Sequence, residues 1–254
     1  MSDRVVLTLA TAPSHTLVAD CIAADRFASL DARAIGQLPV VHGGRRARLG
    51  DFFTVTGQRS AALRIEGDLE RVEGVGTGMA GGEMLIAGNV GPDLGLAMEG
   101  GRIDVHGSVG ENAGGARPGA SRGMTGGEIV IRGDAGAQVG AVARRGLIVV
   151  MGNAGPRTAR AMIAGTVVVF GSTAAGAGRF LKRGSIVALG AIERPATFRY
   201  ACTYQPPHVP LLLRYLRARY GLAVLDRHIA GRYERHSGDL AELGKGEILQ
   251  WVAE

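Results

Sequence analysis

Residues 126–155, GGEIVIRGDAGAQVGAVARRGLIVVMGNAG, hold one short motif twice: a small or basic pair, a short alternating apolar run, a Gly, then a corner of small residues. Most of the chain repeats this unit, which makes the repeat the strongest constraint on the fold. The second residue of the opening pair falls at Gly82, Gly101, Gly127, Gly146, Gly165 and Gly184, at spacings of 19, 26, 19, 19 and 19. The closing Gly falls at Gly88, Gly107, Gly133, Gly152, Gly171 and Gly190 with the same spacings, and residues 62–67 form an imperfect earlier copy.

Each unit contains one period-2 run. One parity is apolar in every copy: Met84/Ile86, Ile103/Val105, Ile129/Ile131, Ile148/Val150, Val167/Val169 and Ile186/Ala188. These residues are expected to point inward. The other parity varies, from Glu83, Arg102, His106, Glu128 and Arg132 to Leu147 and Met151, and is expected to point outward. A single strand cannot bury its apolar face alone. Units stacked in register, roughly 4.8 Å apart, turn like side chains into ladders through a common core. The expected fold is all-β: a parallel β-solenoid with coils of about 19 residues, a small N-terminal cap over 1–57, repeats over 58–195 and a C-terminal helical tail over 196–254. A helix with Gly every few residues would lose about 1 kcal/mol at each. No Leu-x-x-Leu-x-Leu pattern recurs, which argues against leucine-rich repeats. The 41 glycines follow no Gly-x-y period, so they mark turns and not collagen.

In chain order, residues 1–10 read as a strand and 12–36 as two short elements capping the first coil, whose strand edge would otherwise be open. Residues 38–41 and 49–56 read as strands around a basic turn, Gly43-Gly44-Arg45-Arg46. The Gly-x-Gly-x-x-Gly at 74–81 precedes a strand, whereas a dinucleotide site needs a helix there, so it reads as a corner. The interval of 26 marks a seven-residue insertion within 111–125, carrying Arg117, Pro118 and Arg122. Such an insertion projects from the stack as a mobile loop or toward a ligand or partner.

Charge divides the coils. Residues 66–104 contain eight acids, whereas 135–192 contain none and carry Arg144, Arg145, Arg157, Arg160, Arg179, Lys182 and Arg183. Arg160 and Arg179 share one column of the repeat, and Arg144/Arg145 share another with Lys182/Arg183. Stacked cations repel, so this edge is expected to meet a polyanionic ligand or an acidic partner, or to pair with acids of the chain itself. Nucleic acid is disfavoured despite a pI of about 9.9, because Phe180 is the one aromatic directly beside the cations. The outward face of the same coils is apolar: Leu147, Val149, Met151, Val168, Phe170, Val187 and Leu189. Left open it would be a large patch, so the tail is expected to cover part of it and a partner interface the rest. In the tail, 210–220 reads as a helix with Gly221 beyond its end, 239–243 as a short helix and 247–252 as a last strand.

Catalytic groups are sparse. His106 is the one His of the repeats, and His15, His42, His208, His228 and His236 lie in the flanks. No metal spacing is present, and a left-handed hexapeptide-repeat enzyme would need six-residue units. Cys21 and Cys202 form no framework, and no apolar run reaches membrane length, so a non-catalytic cytoplasmic protein is expected.

Gly-x-x-Gly-x-x-x-Gly recurs at Gly88/Gly91/Gly95, Gly107/Gly110/Gly114 and Gly133/Gly136/Gly140. This resembles the repeat of the glycine-rich β-helix domain shared by glutamate synthase large subunits and the C subunit of formylmethanofuran dehydrogenase. The resemblance covers roughly 35–195, and the lead-in at 49–57 (LGDFFTVTG) is closer to the dehydrogenase subunit. Later copies depart: Ala159 and Ala174 replace glycines, and those corners are expected to differ because Ala disfavours positive φ. The resemblance implies a right-handed parallel β-helix and a structural subunit in one-carbon metabolism. One parent would be a formyltransferase/hydrolase complex of methylotrophy, which releases formate from formyl-tetrahydromethanopterin through a methanofuran-type carrier. The other would be a molybdenum or tungsten formylmethanofuran dehydrogenase. Richness in Arg, Ala and Gly, typical of a GC-rich bacterial genome, favours the first. The chemistry is then expected on amidohydrolase-like, formyltransferase-like and dehydrogenase-like partners, with no metal or covalent cofactor on this chain. The basic coils would hold the carrier's polyglutamyl tail or, in a pure scaffold, an acidic partner surface.

Overall fold

The computed structural model describes residues 4–253. The N-terminal part holds β1 (Val5–Leu9), β2 (Leu17–Val18), α1 (Ala24–Phe27), α2 (Ala32–Gly36), β3 (Pro39–His42), β4 (Arg45–Arg48) and β5 (Phe53–Gly57). The coils hold β6 (Ala62–Glu66), β7 (Val72–Glu73), β8 (Glu83–Ile86), β9 (Arg102–Val105), β10 (Glu128–Ile131), β11 (Leu147–Val150), β12 (Thr166–Val169) and β13 (Arg183–Ala188). The tail holds β14 (Arg199–Tyr204), α3 (His208–Tyr220), α4 (Asp226–Ala230), β15 (Tyr233–Gly238) and β16 (Lys245–Trp251).

The repeat stacks as its spacing requires. β8 to β13 pair parallel and in register, Met84 opposite Ile103, Ile103 opposite Ile129, Ile129 opposite Ile148, and so on to Ile186. The twelve inward residues of these strands are at most 2 % exposed. The imperfect copy joins the stack, with Leu63 opposite Met84. A second row of parallel bridges runs Leu69, Val90, Val109, Ala135, Ala154, Thr173, Ile192. A third row of backbone bonds joins Gly95 N–H to the Val75 carbonyl and Gly114 to Leu94, both at 2.8 Å, and continues through Gly140, Ala159 and Gly178.

A further ladder follows each closing Gly. The Asn89 side chain accepts from Ser108 N–H at 2.9 Å, Ser108 from Asp134, Asp134 from Asn153, and Asn153 from Ser172. Each small polar side chain thus satisfies a backbone donor of the next coil.

The flanks differ from a uniformly parallel solenoid. The main sheet has twelve strands in the order β14-β15-β16-β13-β12-β11-β10-β9-β8-β6-β1-β5, mixed and open at both edges. β5 pairs antiparallel with β1 beyond the first coil, and β14 and β15 form antiparallel pairs beyond β16, of which only β15–β16 is a hairpin. A second, four-stranded sheet runs β4-β3-β2-β7. In it Arg45 and Arg46 belong to strand β4 and not to the turn, which is made by Gly43 and Gly44 at φ +54° and +78°. The expected strand at 49–56 begins only at Phe53, after a 3-10 turn over Leu49–Asp51. The expected helix at 239–243 is a turn around Asp239. The 74–81 glycines form a coil corner without a helix.

Corners turn on left-handed residues. At one column Gly95, Gly114, Gly140, Ala159 and Gly178 have φ of +61°, +68°, +66°, +55° and +74°. Ala159 therefore keeps the left-handed conformation instead of reshaping its corner, because the ladders above and below over-determine it. A Cβ on Gly114 would lie 2.6 Å from Ile148 Cδ1, whereas on Gly140 it would meet Val167 Cγ2 at 3.1 Å. The missing methyl of Val167 makes the room. Gly114→Ala is expected to lose roughly 2–4 kcal/mol, combining left-handed strain with overpacking. Gly140→Ala is expected to lose less, about 1–2 kcal/mol, chiefly from the left-handed strain. Urea unfolding of the two variants measures the difference, and equal losses would contradict this packing.

Candidate functional site

The basic edge forms where coil corners carry cations. Val142 N–H donates to the Arg160 carbonyl and Ala161 N–H to that of Arg179, at 2.9 and 2.8 Å, so Arg160 and Arg179 stand on successive coils. Both guanidiniums lie against the Phe180 ring, with Cζ 5.8 Å (Arg160) and 5.1 Å (Arg179) from its centroid. Arg157 is exposed at φ +63° in the same corner region. Arg144, Arg145 and Arg183 are exposed and Lys182 half-buried at the next corner, where the intervening coil carries Ile163-Ala164. Among the described residues, no carboxylate lies within 4.0 Å of any of these seven cations.

Arg160 also borders a cleft of about 520 Å³, lined by Arg117 and Pro118 of the insertion and by Glu73, Asp93 and Glu111. The insertion packs against the stack: Gly123 N–H donates to Val142 and Thr125 N–H to Met98. Burial, and then the charges of Asp93 and Glu111, push the Glu73 carboxyl above its usual range.

The apolar outward face is covered by the chain itself. Val149, Val168 and Val187 are 0 % exposed and Leu189 4 %, in a second core with Val209, Leu213 and Leu216 of α3 and with Leu222, Tyr233 and Leu249. This corrects the expectation that these four would meet a partner: α3 seats its Leu213/Leu216 stripe on them, and β16 extends the same sheet. Leu147, Met151 and Phe170 remain half-buried beside the same core.

The end of α3 reaches the polar outward face of the earlier coils. Tyr215 donates to Glu128 at 2.9 Å, and Tyr220 donates to the same carboxylate. Arg132 grips Asp104 with two bonds of 2.9 and 2.8 Å and also donates to the Tyr220 carbonyl, while Arg219 meets Glu83 at 2.7 Å. Burial and the bond to Glu128 raise the Tyr220 phenol well above its usual range. Below α3, His228 is 8 % exposed and packs edge-on to Trp251 at 4.8 Å.

Two residues of the basic edge escaped the sequence reading as site residues: Phe180, named only as a lone aromatic, and Asp239, which lies beneath it. Phe180 had a signal, as the one large side chain in a column of Gly78, Ala97, Val142 and Ala161. Among the described residues, no group of three or more His, Cys, Asp or Glu could hold a metal ion, and no helix is long and apolar enough to cross a membrane.

Fold and site together define a stacked parallel-coil protein with a tail strapped over its apolar face and a cationic edge left open. No protein-family model matches the chain. Its structure is similar to the C subunit in a crystal structure of the formyltransferase/hydrolase complex (FhcABCD) from Methylorubrum extorquens in complex with methylofuran. The identity is 32 % and the TM-score 0.80, covering 98 % of this chain and 100 % of that one. The C subunit of the molybdenum-containing formylmethanofuran dehydrogenase 1 of Methanothermobacter marburgensis is 41 % identical over 81 residues, which is 31 % of this chain and 20 % of that protein. The C subunit of the tungsten-containing dehydrogenase 2 of Methanothermobacter thermautotrophicus is 36 % identical over 92 residues, 34 % of each. The match thus spans a fifth to a third of the length of these curated relatives. The chain belongs to the C-subunit family shared by the formyltransferase/hydrolase complex and formylmethanofuran dehydrogenase.

His228 gives a pH prediction. Burial, and secondarily the charge of Arg227, lower its pKa below the ordinary 6.5. Protonation therefore favours the unfolded chain, and the stability present above pH 6.5 is lost as pH falls toward the folded pKa. Urea midpoints measured at pH 7.5 and 5.0 should fall with acid, and His228→Phe should flatten this drop. An unchanged drop in the variant would assign it to other groups.

Proposed function

We propose that this chain is the structural C subunit of a formyltransferase/hydrolase complex in tetrahydromethanopterin-linked one-carbon metabolism, in the step from formaldehyde toward formate. The observation that carries this reading is similarity over essentially the whole chain, tail included, to the corresponding subunit of such a complex. The formyltransferase-like, amidohydrolase-like and dehydrogenase-like partners carry the chemistry, and this chain contributes a rigid coil stack. Three rows of bonds between coils support a parallel β-helix. Right-handed winding is what the resemblance to the family implies. The complex works in the cytoplasm, where Cys21 and Cys202 stay as thiols.

The basic edge of Arg144, Arg145, Arg157, Arg160, Arg179, Lys182 and Arg183 holds the acidic glutamyl tail of a methanofuran-type carrier. Support comes from the absence of carboxylates at ion-pair distance among the described residues, and from the methylofuran of the related complex. The half-buried Leu147, Met151 and Phe170 border the tail and offer a smaller partner contact than seven residues would. A second reading, the C subunit of a molybdenum- or tungsten-containing formylmethanofuran dehydrogenase, is favoured by the 41 % identity over part of the chain.

Native mass spectrometry of the protein purified gently from its host separates the two. Co-purification with the three partner types without molybdenum or tungsten is expected, and either metal would move the assignment to the dehydrogenase. Charge reversal, Arg160→Glu with Arg179→Glu, is expected to weaken carrier binding by at least about tenfold at low salt while the coil stack stays folded. Unchanged carrier affinity with impaired assembly would instead make the edge a docking surface for an acidic partner.

A further inference from the structure

Gly78, Ala97, Val142, Ala161 and Phe180 occupy one column of the coil and share left-handed φ of +64°, +53°, +51°, +52° and +64°. In the first four, the backbone N–H donates to a carbonyl of the next coil, that of Leu96, Gly115, Arg160 or Arg179, at 2.8–2.9 Å. Phe180 ends the column and has no further coil above it. Its N–H donates instead to Asp239 Oδ2 at 2.8 Å, 59 residues along the chain. Asp239 is 1 % exposed, and its other oxygen accepts from Ala241 N–H at 2.8 Å. The tail thus supplies a carboxylate where the missing coil would have supplied a carbonyl.

The column is otherwise small-sided. Its one ring lies at the corner where Arg160 and Arg179 follow one another on successive coils, and both guanidiniums rest against it. A ring face attracts each cation and restricts two long side chains that mutual repulsion would otherwise splay apart. The Asp239 charge is near Arg179, but its oxygens are occupied by backbone donors and no ion pair closes. Two held guanidiniums, each a planar fork of donors, match carboxylates better than they match a compact point anion.

We propose that Arg160, Phe180 and Arg179 form a two-guanidinium carboxylate site with the Phe180 ring as its floor, and that Asp239 is the positioning residue that holds this floor. The inference rests on the reading of the basic edge as an anion track and narrows that track to one corner. It also ties the site to the tail: loss of the Asp239 carboxylate would take the partner from a part-buried N–H and free the ring to move.

The test is calorimetric titration of the full chain with penta-L-glutamate at low salt. Phe180→Ala should fold, because Ala97 and Ala161 already adopt the same φ in this column. Its affinity is expected to fall about 5–30-fold, because two long side chains that the ring restricts in the free chain must then be ordered on binding, while Phe180→Tyr keeps it. Asp239→Asn is expected to weaken binding as well, and to add nothing further in the Phe180→Ala background. If penta-L-glutamate does not bind the unaltered chain, both the track and the site fall. If it binds and Arg160→Glu/Arg179→Glu weakens it while Phe180→Ala does not, the site falls and the track stands. Equal losses in Phe180→Ala and Phe180→Tyr would place the effect in the backbone corner and overturn the ring's role. Should Asp239→Asn fail to fold, the Phe180 pair still decides.

Discussion

Everything in this molecule depends on neighbouring coils being able to share backbone hydrogen bonds all the way round their turns, not only along their strands. That demand is met by left-handed residues at three alternate positions of one corner, for example Asp93, Gly95 and Ala97. Each would cost a non-glycine residue about 1–3 kcal/mol in isolation. Stacking offsets the cost, because each such residue gains a ladder bond in the register its neighbours impose. The same logic explains why Val142, a β-branched residue, sits at φ +51°. A column once adopted by the stack is cheaper to continue than to break.

Strand positions were legible because period-2 alternation and a fixed 19-residue spacing are local signals: Met84 through Ala188 fell inside as read. So was α3, with its terminal Gly221 at φ +64°. The polar ladder of Asn89, Ser108, Asp134, Asn153 and Ser172 was equally readable in the residue after each closing Gly, but draws no notice until the stack supplies donors to it. Ala159 departs from its intrinsic propensity because the ladder bonds above and below override it, a constraint that no local pattern carries. The helix expected at 239–243 failed for a related reason: Asp239 is held by Phe180 N–H, a contact spanning 59 residues that no local pattern encodes.

The cover over the apolar face shows how far a burial argument reaches. Leu147 to Leu189 had to be hidden, and that much follows from area alone. What hides them depends on the fit of α3, whose Leu213 and Leu216 reach Val149, Val168 and Val187 while Tyr215, Arg219 and Tyr220 reach Glu128 and Glu83. The helix is amphipathic toward a face that changes from apolar to charged along the stack. Its register is set at both ends, which a partner helix from another chain would have to reproduce at the additional cost of association.

Charge on the coils follows the opposite rule to apolar side chains. In the ladders of the core, like next to like is favourable. For charges it is not, and the earlier coils alternate sign, pairing Arg102 with Glu83 and Arg132 with Asp104 across coils. The later coils place Arg160 and Arg179 in one column with no acid at ion-pair distance among the described residues. At a spacing of roughly 5 Å, two unit charges repel by about 1 kcal/mol in water and about 3 kcal/mol at the effective dielectric of a protein surface. Such a cost is small beside the stack's packing, so it does not unfold the chain. It is large enough that an anion placed between the two cations gains from relieving it as well as from its own attraction. A column that the fold tolerates but does not neutralise is therefore poised for an acidic ligand, and the Phe180 ring keeps it so by holding both cations without cancelling their charge.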